Sequence, residues 1–220
     1  MFCVPLEKQN VGWTLLGVRI GSGKVGTVEA ACKIENCSYV AKIIPFGQNY
    51  NKRSFNKEVK INKSLAKKGL AVKVEDSWIC NNEGLESGII IMNVLNITVK
   101  DFLNQPSVTE NDFDKIIECM KNLIEKVHKL GYYHGDNHFK NIMMKKTSNC
   151  ASKNTIILSS GCFRMYFIDF DRAGELDNPG KKGNKMTTKE SRIRDDYVIF
   201  NEERKQASIR FKGEIESMII

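Results

Sequence analysis

Apolar residues change their spacing part-way along the chain. Between Trp13 and Ile44 they come in short runs, WTLLGVRI, VGTVEAACKI and YVAKII, the last closed by Pro45. Such runs bounded by Gly and Pro predict strands, and the first two flank the segment 21–26, which predicts a hairpin. Residues 54–68 are mostly good helix formers and stop at Gly69, a C-cap. Within them Glu58, Ile61 and Leu65 share one face. Residues 88–92, GIIIM, predict a buried strand. The clearest helix spans 109–130, where Phe113, Ile116, Ile117, Met120, Leu123, Ile124, Val127 and Leu130 follow the 3.6-residue period. Thr109 with Asp112 forms a capping box and Gly131 is the stop. Short strands follow at 142–144 and 163–168, separated by a polar loop at 147–161 that holds a small apolar island. Residues 174–190, rich in Gly, Lys and Thr, predict irregular chain, and 191–206 a final helix. Strands first and helices second predict an α+β fold in two lobes, without internal repeats.

Composition narrows the class. The chain has 220 residues, 41% hydrophobic and 27% charged, with 4 Pro. That excludes disordered and collagen-like chains and suits one domain or two small lobes. No run approaches the roughly 18 apolar residues of a spanning helix, so no membrane span is expected. MFCVPLEKQN lacks a positive region followed by an apolar run, so no secretory leader is expected either. The net charge is +8, but the Lys are scattered, in pairs such as Lys67-Lys68, Lys145-Lys146 and Lys181-Lys182. No basic stripe interleaves with aromatics, so no dedicated nucleic-acid site is expected. Seven Cys and three His show no CxxC and no zinc spacing. Cys119 reads as a core thiol, and Cys32 and Cys37 as thiols on neighbouring strands. The expected location is a reducing, intracellular one, the cytoplasm.

Several polar residues stand where apolar ones would be cheaper. Lys42 lies inside the run YVAKII, and Glu58 on the inner stripe of the next helix. Each is costly to bury alone, and pairing the two removes both anomalies. Gly21, Gly23 and Gly26, with Ser22 and Lys24 between them, sit in a strand-turn-strand context; taken alone, three glycines are better explained by a plain turn, while functionally Gly lets backbone N–H groups approach phosphates. His134-Gly-Asp136-x-x-x-x-Asn141 follows the long helix directly, and Asp169 closes the apolar run MYFI. Asp136 can accept a hydroxyl proton. Asn141 and Asp169 offer the hard oxygens that Mg²⁺ prefers. His134 reads as a structural histidine.

The order of Gly loop, Lys42, Glu58, HxDxxxxN loop and IDF resembles the protein kinase superfamily across roughly residues 15–200. The resemblance implies a single domain over 1–220, with an N-lobe to about 93 and a truncated, helical C-lobe from about 96. It implies ATP and Mg²⁺ as cofactors, with the segment Gly21, Ser22, Gly23, Lys24, Gly26 over the phosphates and Lys42, held by Glu58, on them. Val28 and Ala41 would sandwich the adenine, Met92 would be the gatekeeper, and Asn93 to Leu95 the hinge. Asp136 would be the base, and Asn141 and Asp169 the metal ligands. Gly135 replaces the usual Arg, His138 stands where Lys is usual, Asp171 replaces Gly, and no APE follows. Asp195 would brace the catalytic loop. A phosphate on Thr187 or Thr188 would find only Lys181, Lys182 and Lys185.

These departures resemble haspin-like and RIO kinases and the small kinase of the KEOPS complex. HGDxHxxN with IDFDxAG also resembles aminoglycoside and choline phosphotransferases. The expected function is a compact serine/threonine kinase with a protein substrate and an activating partner, in a host cytoplasm if the chain is viral or an effector. A small-molecule kinase and a nucleotide-binding pseudokinase scaffold are the alternatives.

Overall fold

A computed structural model describes residues 4–5, 7–8, 11–23, 25–48, 50–82, 84–151, 154–182 and 185–212. The chain divides into two compact units, one of residues 1–67 with 72–94, the other of 68–71 with 95–220.

The first unit is a five-stranded antiparallel sheet in the order β1-β2-β3-β5-β4. β1 (Trp13–Ser22) and β2 (Thr27–Lys33) form the expected hairpin, with Ser22 opposite Thr27. β3 (Asn36–Pro45) and β5 (Leu85–Asn93) fill the centre, as their Ile-rich runs require. β4 (Val74–Asn82) completes the edge; hydrophobic spacing does not reveal it, because only Val74, Trp78 and Cys80 of its nine residues are buried. Successive side chains on a strand point to opposite faces. One face of the sheet gathers Trp13, Ala31, Ala41, Ile43, Trp78, Cys80, Ile89 and Ile91 into a core. α1 (Lys52–Ala66) begins at Asn51, whose side chain accepts from the Ser54 N–H, and buries Phe55, Glu58, Val59, Ile61, Asn62 and Leu65.

The second unit is built around α3 (Glu110–Lys129), preceded by β6 (Ile97–Thr98) and the short α2 (Val99–Leu103). The capping box of Thr109 and Asp112 is formed, and all the apolar positions of the expected period are buried except the half-exposed Leu130. Asp112 also accepts from the Ser159 N–H and hydroxyl, and these bonds hold its carboxyl below its usual range against the opposing effect of burial. After β7 (Tyr132–Tyr133) comes a four-stranded sheet, β6-β8-β10-β9. β8 (Ile142–Lys146) and β10 (Gly161–Phe167) are its centre, and β9 (Thr155–Leu158) is the apolar island of the polar loop. Beyond it are two-residue ladders, β11 (Gly174–Glu175) with β7 and β12 (Lys181–Lys182) with β13 (Lys185–Met186), then α4 (Lys189–Lys212). Phe211 near the end of α4 stacks on Phe113 of α3 at 4.9 Å.

The cysteines correct one expectation. Cys32 and Cys37 are not neighbouring thiols but a disulfide, and Cys150 is joined to Cys162. The physical reason is register: the β2–β3 hairpin pairs Lys33 with Asn36, which sets Cys32 and Cys37 4.0 Å apart at Cα. Cys80 is also disulfide-bonded. Cys119 keeps a free thiol, and burial pushes its pKa up to about 11, so it is unreactive.

Candidate active site

In the first unit the Lys42 Nζ stands 2.6 Å from the Glu58 Oε1, both residues buried. The Tyr50 hydroxyl donates to the other oxygen of Glu58. The pair that spacing suggested is therefore formed, and Tyr50 completes it. Sequence reading missed Tyr50, which lies outside any periodic element.

Val28 is directly opposite Lys42, and Val40 opposite Met92. All four share one face of the sheet, the face toward which α1 turns Glu58. Ala41 does not. Its neighbours along β3 alternate, so it points to the other face and is fully buried beside Trp13 and Trp78. The expected adenine contact at Ala41 is corrected on this ground: Val40 holds the position on the Lys42 side. Asn93 donates to Glu75 at 2.8 Å, the Val94 N–H donates to the Ser38 carbonyl at 3.0 Å, and Leu95 begins the second unit half-buried. In the glycine segment, Gly21 and Ser22 end β1, and the Gly23 N–H donates to the Gly26 carbonyl at 2.9 Å. Only Gly26 is demanded by packing, since a Cβ there would lie 2.2 Å from the Ile43 carbonyl oxygen. Lys24 lies outside the described residues.

In the second unit the HGD segment is fixed from α4. Asp196, fully buried, accepts from the His134 N–H at 3.0 Å, the Gly135 N–H at 2.7 Å and the His128 Nε2 at 2.9 Å. The brace is thus Asp196 and not the expected Asp195; the helix phase turns 196 inward. Gly135 has φ +80°, and a Cβ there would lie 2.6 Å from the Arg172 carbonyl oxygen. An Arg at this position has no room. The His134 Nε2 donates to the Ile168 carbonyl at 2.9 Å, while its Nδ1 is buried without a partner. Burial lowers its pKa, against the pull of Asp196, the Ile168 carbonyl, Asp169 and Asp136. Burial thus favours the neutral ring, and its hydrogen bond ties the HGD segment to the Ile168 carbonyl.

Asp136 is buried. Its Oδ2 accepts from the Asn141 Nδ2 at 2.7 Å and its Oδ1 from the Arg172 Nη1 at 3.0 Å. The same Asn141 amide also donates to the Asp136 carbonyl. With Nδ2 so engaged, the Asn141 Oδ1 remains as an acceptor for a cation. Asp169 has the left-handed φ of +63°, a conformation that costs energy and concentrates at functional sites. The Ile168 N–H beside it donates to the Asn141 carbonyl at 3.0 Å, so the two candidate ligands are tied together. The His138 Nδ1 donates to Glu203 at 3.0 Å, and the Phe139 N–H donates to the same carboxylate. Arg172 and Glu203 were not found from sequence, because their partners are 36 and 65 residues away.

Among the described residues no cluster of three or more His, Cys, Asp or Glu could hold a metal. One carboxylate and one amide oxygen fit Mg²⁺ held jointly with phosphates, its ordinary habit, rather than an all-protein cage. Among the same residues no helix is long and apolar enough to cross a membrane.

The family model of the protein kinase domain matches residues 15–193. The chain belongs to the protein kinase family. No curated protein matches it. The kinase domain so delimited includes parts of both units, from β1 to the first turn of α4, and holds the residues expected at the nucleotide, the metal and the catalytic base, while the brace Asp196 lies just beyond it.

Proposed function

We propose that the chain is an active phosphotransferase that moves the γ-phosphate of ATP to a serine or threonine hydroxyl of a protein, with its two units as the lobes of one kinase domain. The observation that carries this reading is the setting of Asp136: a buried carboxylate held by Asn141 at 2.7 Å and Arg172 at 3.0 Å. A nucleotide-binding scaffold has no use for a base so fixed.

In this reading Asp136 orients the acceptor hydroxyl and takes its proton as the oxygen attacks phosphorus. Lys42, kept in place by Glu58 and Tyr50, binds the phosphates of the nucleotide. The Arg172 guanidinium fixes the base through a charge-assisted hydrogen bond to its Oδ1. Asn141 and Asp169 would hold Mg²⁺, which when bound neutralises phosphate charge and orients the transferred group. His138 and the DFDRAG run support a second reading, transfer to a small aminoglycoside- or choline-like alcohol.

The test offers γ-labelled ATP with a basic protein, an acidic protein, an aminoglycoside and choline. Label is expected on protein Ser or Thr. Asp136→Asn should slow transfer by about 10² to 10⁴ and leave nucleotide affinity within about twofold, because the base touches the hydroxyl and not the nucleotide. Label on the small alcohols alone selects the second reading. Label on none of them, with nucleotide still bound, selects the scaffold.

A further inference from the structure

The sheet of the second unit concentrates positive charge that the site above does not use. From Asn137 to Ile168 the chain has no Asp or Glu, while Lys140, Lys145, Lys146, Lys153 and Arg164 all fall there. Folding gathers three of these cations. Lys145 on β8 is directly opposite Arg164 on β10, and a concavity of about 300 Å³ is lined by Lys145, Lys146, Thr147, Asn149, Arg164 and Tyr166.

Like charges directly across a β ladder repel. The Arg164 Nε is buried and has no hydrogen-bond partner, a state that protein groups avoid. No carboxylate of the described residues pairs with any of the three cations. An anion in the concavity removes both penalties at once. The wall is also preformed. The Cys150–Cys162 disulfide ties the loop of Asn149 to β10, and the Thr147 N–H donates to the Cys162 carbonyl at 2.9 Å. At roughly 3.3 Å per residue, Lys145 and Arg164 lie about 13 to 17 Å along their strands from Asn141 and Asp169, so an anion here is separate from any phosphate those residues meet.

We propose that this pocket binds the phosphate monoester of a phosphorylated side chain, and so docks a partner protein that already carries a phosphate. A monoester brings about −1.5 to −2 charge, which the directly opposed cations Lys145 and Arg164 match better than the single charge of a nucleic-acid diester does. Nucleic-acid grooves string cations along a path with several stacking aromatics, and here Tyr166 is the one aromatic in the lining. The Arg164 fork suits a phosphate bidentately. The choice of a protein partner rests on the phosphotransfer reading above; binding is measured without turnover, so the two fail separately.

The experiment measures binding of the full chain, at roughly physiological salt, to a degenerate peptide pool with a fixed phosphoserine. The unphosphorylated pool, inorganic phosphate and a single-stranded oligonucleotide are the comparisons. The phosphorylated pool is expected to bind at least about tenfold more tightly than all three. Arg164→Gln should lose that difference while the affinity for nucleotide stays unchanged. Lys145→Gln with Lys146→Gln serves as the second variant, should Arg164→Gln fail to fold in a thermal melt. Equal binding of both pools overturns the proposal. So does a phosphopeptide affinity that survives both variants, or an oligonucleotide that binds as tightly. Inorganic phosphate matching the phosphopeptide would make this a free-phosphate site and overturn the docking assignment.

Discussion

Gly135 shows how one residue decides what the catalytic loop can contain. Its φ of +80° and the Arg172 carbonyl at 2.6 Å from a would-be Cβ leave no place for a side chain. Gly135→Ala is therefore expected to destabilise the fold by about 1–3 kcal/mol, a fall in Tm of roughly 2–10 °C for a chain of this size. A melting temperature unchanged in the variant would show that the loop relaxes freely. His134, one residue earlier, makes stability depend on pH. Its folded pKa is lowered, chiefly by burial, so the folded state binds fewer protons than the unfolded one. That contribution is complete above the unfolded pKa of about 6.5 and is lost as pH falls below it, at up to about 1.4 kcal/mol per unit. Unfolding in denaturant at about pH 7.5 and 5.5 checks this, and His134→Asn should flatten the dependence. Asp196→Ala strands three donors, the His134 N–H among them fully buried, and should cost on the order of 3 kcal/mol, more than Asp195→Ala. At this scale, Lys42, Glu58, Asp136, Asn141 and Asp169 were legible because each is a polar residue in an apolar or motif context. Which of two adjacent aspartates faces inward was not, since helix phase near a terminus depends on packing.

At the scale of elements, the site rests on a strand and a helix that share an ion pair. The hydrophobic stripe of α1 already marked Glu58 as inward, and the hairpin and the capped α3 followed from turn and cap chemistry. Local rules failed where tertiary contacts decide. Ala41 looked interchangeable with its neighbours, but the two-residue period of β3 sends it to the opposite core. β4 is a strand because β5 pairs with it, not because its own residues demand it. Lys42, Glu58 and Tyr50 form one buried unit, so Lys42→Ala and Glu58→Ala should lose turnover alike, and the double variant should be little worse than either. Additive losses would separate them. Tyr50→Phe removes a donor to the second Glu58 oxygen and should destabilise by about 1–3 kcal/mol, read from urea unfolding.

At the scale of the whole molecule, the fold class and the family motifs could be read from the chain, but its cross-links and its charge placement could not. Disulfide pairing depends on the β2–β3 register and on the return of the 147–161 loop to β10. Peptide mapping of protein alkylated at lysis should recover Cys32 linked to Cys37 and Cys150 linked to Cys162, each worth about 2–3 kcal/mol by loop closure. Linked pairs in such a map would exclude the reducing cytoplasm as the working location, and alkylated ones would support it. The segment before α4 carries the last consequence. The Thr187 hydroxyl lies 2.8 Å from the Gly180 carbonyl and 3.1 Å from that of Pro179, where only a donor is welcome. Thr188 accepts from the Ser191 N–H and caps α4. Contrary to the expectation of lysines alone, a guanidinium is near: the Arg192 Nε stands 3.2 Å from the Thr187 hydroxyl. That same guanidinium already donates to the Pro179 carbonyl. A phosphate on Thr187 has no proton to give and would set its oxygens against two carbonyls, so the repulsion offsets the new ion pair. Phosphorylation is then not what orders this segment, and Gly135 offers no Arg to receive it. Phosphatase treatment, with Thr187 and Thr188 verified unmodified, should leave turnover within about twofold. A fall of tenfold, about 1.4 kcal/mol in barrier, would mean that the phosphate displaces the carbonyl contacts and recruits Arg192 after all.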